Sequence, residues 1–383
     1  MIPSCALLMI AAAQDLGADW IDRVSRELRW DRAALESRPP SFSGSAGVIG
    51  AYDSNVFLEE RDERADFFLI PYVRGRFDYE EPTFDLAIDL TLDYKYFFRE
   101  DRARDDDQRL FLRASTTQPG FGIEIAEILR HESEPVDIVF LDRAERVVSD
   151  TLLRGTVDLA EVLAFEAAAD LEIVRYLESP FDRLRSNVNY RVSGAIAFRL
   201  VHEMELLLQG GYLAIAYRAD PEEGAPPDGR GYFLRVGFRG ELTSRLTLEA
   251  WAGYTAAESD NTTADLALHL RYEATELWTF AFDYTRRFEF AGGPDAFEVV
   301  SRVRVGVEVQ ATEELALHSR IQWDQISLTR GEGRSYGSAS LFATYRLSEH
   351  VVIDGGATYR KGELDSGADF DGFLFHLGVA IAF

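Results

Sequence analysis

Apolar residues recur at every second position through most of the chain after about Ala46, and this period limits the possible folds more than any other feature. The clearest run extends from Phe84 to Phe98, where apolar residues alternate mainly with aspartate, threonine, alanine and lysine. Successive side chains of a β-strand point to opposite faces of the sheet, so such a segment has one apolar and one charged face. Similar runs occupy 187–200, 278–287 and 297–309. The sequence therefore predicts an all-β protein.

The length and the aromatic content of these runs indicate that the apolar face contacts lipid. The runs extend over roughly 10 to 16 residues, whereas soluble strands usually have about 5 to 6 and a tilted membrane strand needs about 9 to 11. The chain contains 26 Phe and 16 Tyr, and aromatic residues gather toward strand ends, as Tyr94, Tyr96 and Phe98 do. Such positions match the aromatic girdles of outer-membrane barrels. We therefore expect a transmembrane barrel rather than a soluble sandwich.

Short and long connections alternate along the chain. A very short connection such as Thr275–Glu276 contrasts with longer polar ones such as Asp101–Asp107 and Asp220–Gly231. Short periplasmic turns and longer external loops are typical of outer-membrane barrels, so the pattern predicts an antiparallel up-and-down barrel of about eighteen strands with both termini in the periplasm. The period is weak over Glu132–Glu178, where 158–170 has a helix-forming composition. Sixteen strands is therefore the alternative.

The N-terminal part of the chain has a different pattern. Residues 1–14 combine a short apolar stretch with small residues that suit a signal-peptidase site, and they are interpreted as an export signal peptide. Within 15–45, apolar residues from Trp20 to Leu28 recur at helical spacing. This spacing predicts a short periplasmic helix and a linker, which could also enter the lumen. The barrel is assigned to 46–383.

The last segment of the chain has an apolar residue at every second position and ends with phenylalanine. This pattern resembles the assembly signal that the barrel-insertion machinery reads on outer-membrane proteins. It predicts delivery to the Gram-negative outer membrane, with outer-membrane lipids and the barrel-assembly machinery as partners. The residues assigned to the signal are Phe373, Phe375, Leu377, Val379, Ile381 and Phe383.

Composition argues against several other classes of protein. The formal net charge is −26, from 66 acidic and 40 basic residues, which argues against nucleic acid as a partner because phosphate binding needs a basic surface. The longest uninterrupted apolar run, Ala6–Ala13, is too short for a membrane-spanning helix, which needs about 20 residues. The single cysteine, Cys5, lies in the predicted signal peptide, so no cysteine-based metal site is expected.

The residues opposite the apolar face form a charged set that would line the lumen. The simplest interpretation is that they pair across strands, and the alternative is that they bind hydrated sugars, with Arg forks suited to carboxylates. His269, His318 and His376 share this register and leave an outer-membrane hydrolase open, although no Gly-x-Ser-x-Gly or His-Glu-x-x-His motif occurs. We assign no catalytic, cofactor-binding or metal-binding residue, and expect neither enzymatic activity nor a cofactor. The predicted lumen residues are Asp85, Asp89, Asp93, Arg191, Arg235, Arg239, Asp283, Arg302, Arg304, Arg320 and Arg360.

The first predicted hairpin carries a family resemblance. The segment Gly47–Phe57, which contains Tyr52-Asp53-Ser54-Asn55-Val56, is followed by Arg64–Pro71. It resembles the opening of outer-membrane β-barrels that are encoded beside exopolysaccharide and capsule synthesis genes. The resemblance implies a conduit or scaffold in the export or assembly of a secreted polysaccharide, with that polymer and a periplasmic export protein as partners. It implies no catalytic residue, and a general diffusion porin is the alternative function.

Overall fold

The computed structural model describes residues 40–56, 64–99, 105–132, 145–177, 186–201, 204–219, 227–258, 262–290, 297–328, 333–364 and 369–383. Within these ranges the regular structure consists of eighteen β-strands. Strand lengths from 12 to 16 residues are sufficient for a tilted membrane span. The strands are β1 (Ser41–Asp53), β2 (Asp66–Glu81), β3 (Phe84–Phe97), β4 (Asp105–Gln118), β5 (Phe121–Glu132), β6 (Arg146–Ala160), β7 (Leu163–Tyr176), β8 (Asn187–Val201), β9 (Met204–Tyr217), β10 (Gly229–Thr243), β11 (Leu246–Ala257), β12 (Thr262–Thr275), β13 (Trp278–Phe290), β14 (Phe297–Gln310), β15 (Leu315–Leu328), β16 (Arg334–Ser348), β17 (Val351–Leu364) and β18 (Asp369–Ala382).

The sheet closes on itself. Each strand pairs antiparallel with its neighbours in the chain, and β18 pairs with β1 from Ser45 opposite Ala382 to Asp53 opposite Leu374. The other edge of β1 pairs with β2. A closed sheet has no row of unpaired backbone groups at an edge, which is the condition for placing strands in lipid. Among the described residues, the sheet therefore has the predicted eighteen strands and not the alternative sixteen.

The described part of the segment with the weak period, 145–177, forms two full strands. β6 and β7 pair from Arg146 opposite Tyr176 to Ala160 opposite Leu163, with a turn at 161–162. The helix-forming composition does not prevent this, because alanine fits either face of a sheet. Pairing with strands on both sides also satisfies the backbone groups.

Connections at one end of the barrel are short. They include the turns at 82–83, 119–120, 161–162, 244–245, 276–277, 311–314 and 349–350, and we call this end the turn end. Gly120 has φ +78°, a conformation that glycine adopts without the strain of a Cβ atom. The opposite end, the loop end, has the longer connections, while β1 begins and β18 finishes at the turn end. The arrangement matches the predicted alternation.

The distribution of apolar and charged residues over the two faces of the wall is the reverse of that in a soluble protein. Large apolar residues on the outer face are exposed, for example Ile321 at 60% and Leu377 at 65%. Charged residues on the inner face are buried, for example Asp354 at 0% and Arg302 at 3%. An apolar surface of this extent is stable where hydrocarbon covers it. The fold is an all-β, closed, antiparallel barrel of the outer-membrane kind.

The first strand begins earlier than the sequence predicts. Ser41–Ser45, assigned above to the linker, belong to β1 and pair with β2 from Ser41 opposite Asp78. Serine and glycine show no contrast between apolar and polar positions, so the period does not reveal this part of the strand. Phe42 lies on the outer face and packs against Phe77, with ring centroids 4.8 Å apart. The barrel boundary therefore moves from 46 to Ser41.

The predicted signal peptide at 1–14 and the predicted helix after it lie outside the described residues. In the part of the chain that the structure describes, no helix is long and apolar enough to cross a membrane.

Candidate functional site in the barrel lumen

The predicted lumen residues all lie in the inward register of the described strands. Asp283 lies opposite Arg304, and Arg302 lies opposite Asp324. The adjacent outward register carries exposed apolar residues such as Ile321. The period of the strand determines which face of the wall a charged side chain points to. The register between strands determines which side chains lie next to it.

A row of hydrogen-bonded polar side chains crosses β14 and β15. Arg302 donates from Nε to Oδ1 of Asp324 at 3.1 Å, and Gln322 donates to the other oxygen of Asp324 at 3.0 Å. Arg304 donates from Nε to Oε1 of the same Gln322 at 3.0 Å. The side chains of Arg302 and Asp324 are 3% and 2% exposed, and the buried carboxylate is stabilised by its two donors. Arg320, in the same inward register, is exposed instead.

The aspartates predicted on β3 have different surroundings. Nε of Arg74 on β2 lies 2.8 and 3.0 Å from the two oxygens of Asp89. Asp85 accepts a hydrogen bond from the hydroxyl of Ser115 on β4 at 3.2 Å. Asp93 lies farther toward the loop end in the same inward register. These side chains connect β2, β3 and β4 on the inner wall.

Arg239 of β10 connects strands that are not adjacent. Its Nε donates to Glu205 of β9 at 2.7 Å, and its Nη1 donates to Glu166 of β7 at 3.1 Å. The predicted Arg191 of β8 lies opposite Asp170 of β7. Arginine therefore lies beside carboxylate in this part of the wall as well.

Arg235 lies against an inward-facing aromatic ring. Its guanidinium is 4.5 Å from the ring centroid of Trp251, which is a cation–π contact. Its Nε donates to Gln209 at 2.7 Å, and Asp265 lies 3.7 Å from its Nη1. Gly237 makes room for the indole, because a Cβ atom at that position would lie 2.2 Å from Cε3 of Trp251. These contacts hold the positively charged guanidinium of Arg235 in one position on the inner wall.

Two of the inward histidines contact aspartates. Nδ1 of His269 lies 2.6 Å from Oδ1 of Asp283. Nε2 of His376 lies 2.7 Å from Oδ1 of Asp354, whose second oxygen accepts the hydroxyl of Thr344 at 2.8 Å. The side chains of His376 and Asp354 are fully buried. These contacts join adjacent strands of the wall.

Sequence reasoning missed several partners of these charges. Asp53 accepts Nη2 of Arg360 at 2.6 Å, and the strands around it alternate weakly because Ile49 and Ile70 also face inward. The period alone cannot pair an acid with a base, since pairing depends on the register between strands. The inward-facing residues that were missed are Asp53, Arg74, Glu166, Glu205, Glu298 and Arg334.

Aromatic residues form short rows on the outer face near both ends of the barrel. Toward the loop end, the ring centroids of Tyr190 and Tyr212 are 5.8 Å apart and those of Tyr212 and Tyr232 are 5.1 Å apart. At the turn end, Trp278 and Phe280 are stacked at 6.0 Å. Amphipathic and aromatic rings are stable at the two interfaces of a bilayer. An exposed apolar belt lies between these rows.

The residues of the predicted assembly signal all lie on the outer face of β18 and at its end. Their exposed fractions range from 40% for Val379 to 76% for Phe383. Phe373 packs against Tyr359 with ring centroids 4.9 Å apart. A side-chain row of this kind is accessible to another protein before lipid covers it.

The inner face offers hydrogen-bond donors and acceptors in close alternation. Guanidinium groups, amides and hydroxyls donate, while carboxylates accept, as at Arg302, Gln322 and Asp324. Among the described residues, no group of three or more His, Cys, Asp or Glu side chains is placed to hold a metal ion. The wall is therefore chemically suited to contact hydrated solutes through hydrogen bonds.

No protein-family model matches the chain, and no curated protein matches it in sequence. Solved structures that are similar in shape include the siderophore receptor PirA from Pseudomonas aeruginosa, with 10% identity and a TM-score of 0.46 over 90% of this chain and 81% of that one. The ferric enterobactin receptor PfeA from Pseudomonas aeruginosa, in complex with BCV-L6, has 7% identity and a TM-score of 0.47 over 91% and 82%. The FrpB iron transporter from Neisseria meningitidis, F3-3 variant, has 11% identity and a TM-score of 0.43 over 89% and 81%.

Proposed function

We propose that the chain is a barrel of the Gram-negative outer membrane that serves as a conduit or scaffold for a secreted polysaccharide. The observation that carries the proposal is the inverted wall, with exposed apolar residues such as Leu377 outside and hydrogen-bonded ions such as Arg302 and Asp324 inside. Such a wall separates lipid from a polar interior.

The polar interior suits a hydroxyl-rich cargo. Barrels of 16 to 18 strands are known to leave an aqueous channel, and sugar hydroxyls both donate and accept hydrogen bonds. Because arginine and carboxylate neutralise one another along the wall, as Arg239 and Glu205 do, a polymer meets donors and acceptors without a strong local field. The resemblance of Tyr52–Val56 to barrels from exopolysaccharide loci supports this choice of cargo.

The proposed role needs no catalytic residue, and its partners follow from the direction of transport. Outer-membrane lipids cover the apolar belt, and the barrel-assembly machinery reads the row from Phe373 to Phe383. A periplasmic export protein delivers the polymer at the turn end, where β1 begins.

A gene deletion tests the biological role. The deletion strain should show less surface polysaccharide while cytoplasmic precursor synthesis is unchanged, and a plasmid copy of the wild-type gene should restore the polymer. Unchanged surface polysaccharide in the deletion strain would refute the proposal.

Planar bilayers distinguish the conduit from a general diffusion porin, which the same polar lumen would serve. A porin predicts steady conductance that is cation-favouring because the external connections are acidic, with no preference among polymers. The conduit predicts that polysaccharide from the same organism blocks the current, whereas dextran of matched length does not. Absence of any conductance would count against the porin, and equal effects of both polymers would count against the conduit.

A further inference from the structure

We propose that the segment Tyr52–Val56 is a clasp that seals the seam between β1 and β18 at the loop end, so that the seam opens first from the turn end. The seam is the place where the first and last strands close the barrel. The clasp concerns closure and does not depend on which cargo enters the lumen. It also gives the segment that carries the family resemblance a physical role.

The clasp extends the seam beyond the last strand pair. The backbone N–H of Ser54 donates to the carbonyl of Phe373 at 2.9 Å, and the N–H of Phe373 donates to Oγ of Ser54 at 2.7 Å. Nδ2 of Asn55 donates to the carbonyl of Asp371 at 3.1 Å. Side chains thus continue the hydrogen bonding of the seam where the β1 ladder stops at Asp53.

An ion pair ties a third strand to the seam. Arg360 of β17 donates from Nη2 to Oδ1 of Asp53 at 2.6 Å, and the N–H of Asn55 donates to the same oxygen at 3.0 Å. Gly372 of β18 lies opposite Arg360, and a Cβ atom there would lie 3.2 Å from Cβ of Asn55 and 3.6 Å from Nη2 of Arg360. Because Gly372 has no side chain, the guanidinium of Arg360 has room to reach across β18 to Asp53. The Arg360 side chain is 2% exposed, so the pair is shielded from competing water.

Apolar contacts complete the clasp on both faces of the wall. On the inner side, Val56 and Leu374 are each 3% exposed and belong to one buried cluster. On the outer side, the rings of Tyr52 and Phe67 lie 4.8 Å apart. Ser54 and Asn55 therefore bond across the seam, Asp53 bonds to β17 and Val56 packs with Leu374, while the ring of Tyr52 joins β1 to β2.

On its inner face the turn end of the same seam has small side chains, while its outer face carries Val379, Ile381 and Phe383. Ser45 lies opposite Ala382, and Gly47 lies opposite Ala380. Backbone hydrogen bonds of 2.9 Å join Gly44 and Phe383 in both directions. Backbone bonds occur along the whole seam, so the difference between its ends lies in the side chains, and the loop end has the additional ones.

Hydrogen exchange measured by mass spectrometry on the full chain in lipid nanodiscs tests the clasp. In the wild type, seam peptides from the turn end (44–47 and 379–383) should exchange at least about tenfold faster than those from the loop end (51–54 and 371–374), because side-chain bonds add to the opening free energy. This gradient needs no variant. Equal exchange along the seam, or slower exchange at the turn end, would overturn the proposal.

Two variants assign the effect to the ion pair. Asp53→Asn and Arg360→Gln should each raise exchange at the loop end of the seam about tenfold, the change expected for loss of a charge-assisted hydrogen bond, and leave the other strands unchanged. Arg302→Gln is the matched control, because it also breaks a buried pair but lies on β14. If the control accelerates the seam as much as the other two, the effect is global and the clasp is refuted.

Discussion

The buried pair of Arg302 and Asp324 gives the most quantitative test of how the inner wall is packed. Replacing Arg302 by leucine removes the donor that lies 3.1 Å from Oδ1 of Asp324 and leaves the 3.0 Å bond from Gln322. The carboxylate would remain in a site where it is 2% exposed. Its desolvation would then be only partly compensated.

The magnitude follows from burial. Removing one partner of a buried ion pair costs about 3 to 5 kcal/mol, whereas an exposed pair contributes about 0.2 to 1 kcal/mol. Replacing both residues, Arg302→Leu with Asp324→Leu, removes both charges and should be less destabilising than Arg302→Leu alone. The coupling energy between the two sites should reach about 2 kcal/mol or more.

Unfolding by guanidinium in lipid vesicles, followed by tryptophan fluorescence, measures these free energies. The matched control is the inward pair of Arg113 and Glu124. Its Nη2 and Oε2 atoms lie 2.7 Å apart, but the two side chains are 50% and 23% exposed. Arg113→Leu should cost less than about 1 kcal/mol. If Arg302→Leu costs no more than this control, the pair is hydrated and the proposed packing of the wall is wrong.

Three further substitutions, the first with a matched control, probe the interior packing, the outer face and the C-terminal signal. Gly237→Ala should destabilise the barrel by about 1 to 3 kcal/mol in the same unfolding assay because the new Cβ atom meets Trp251, while Gly75→Ala, which has nothing within 4 Å, should be tolerated. Ile321→Arg should cost about 2 to 4 kcal/mol if the residue lies near the bilayer midplane, and no cost would contradict a lipid-facing position. Phe383→Ala should lower the fraction of heat-modifiable, folded protein in outer-membrane fractions, and unchanged assembly would remove Phe383 from the signal.

Strand periodicity predicts the barrel well where large and polar residues alternate. β3 is the clearest example, since its large apolar residues from Phe84 to Tyr96 face outward and Asp85 and Asp89 face inward in the described structure. β7 is harder, because small residues at Ala167–Ala169 occupy both faces and leave no contrast in hydropathy. Pairing with neighbouring strands, and not local propensity, decides its structure. The beginning of β1 at Ser41 was missed for the same reason.

The candidate site could be predicted only in part. The period predicts that Arg239 and Arg360 face inward. It does not predict their partners, Glu166 and Asp53, which are far away in sequence. The first partner lies across two intervening strands, and the second depends on closure between β1 and β18. Such contacts are set by register and closure, which a single sequence does not determine.

If lipid covers one face of the wall and water reaches the other, two adjacent residues of β15 should differ in their access to water. Arg320 and Ile321 are both exposed on the protein itself, but they point to opposite faces. In a Cys5→Ser background, Arg320→Cys in outer-membrane vesicles should react with a small water-soluble maleimide, and Ile321→Cys should be protected until detergent disperses the lipid. Equal labelling of the two positions before detergent, or labelling of Ile321→Cys alone, would contradict a lipid-covered barrel with an aqueous lumen.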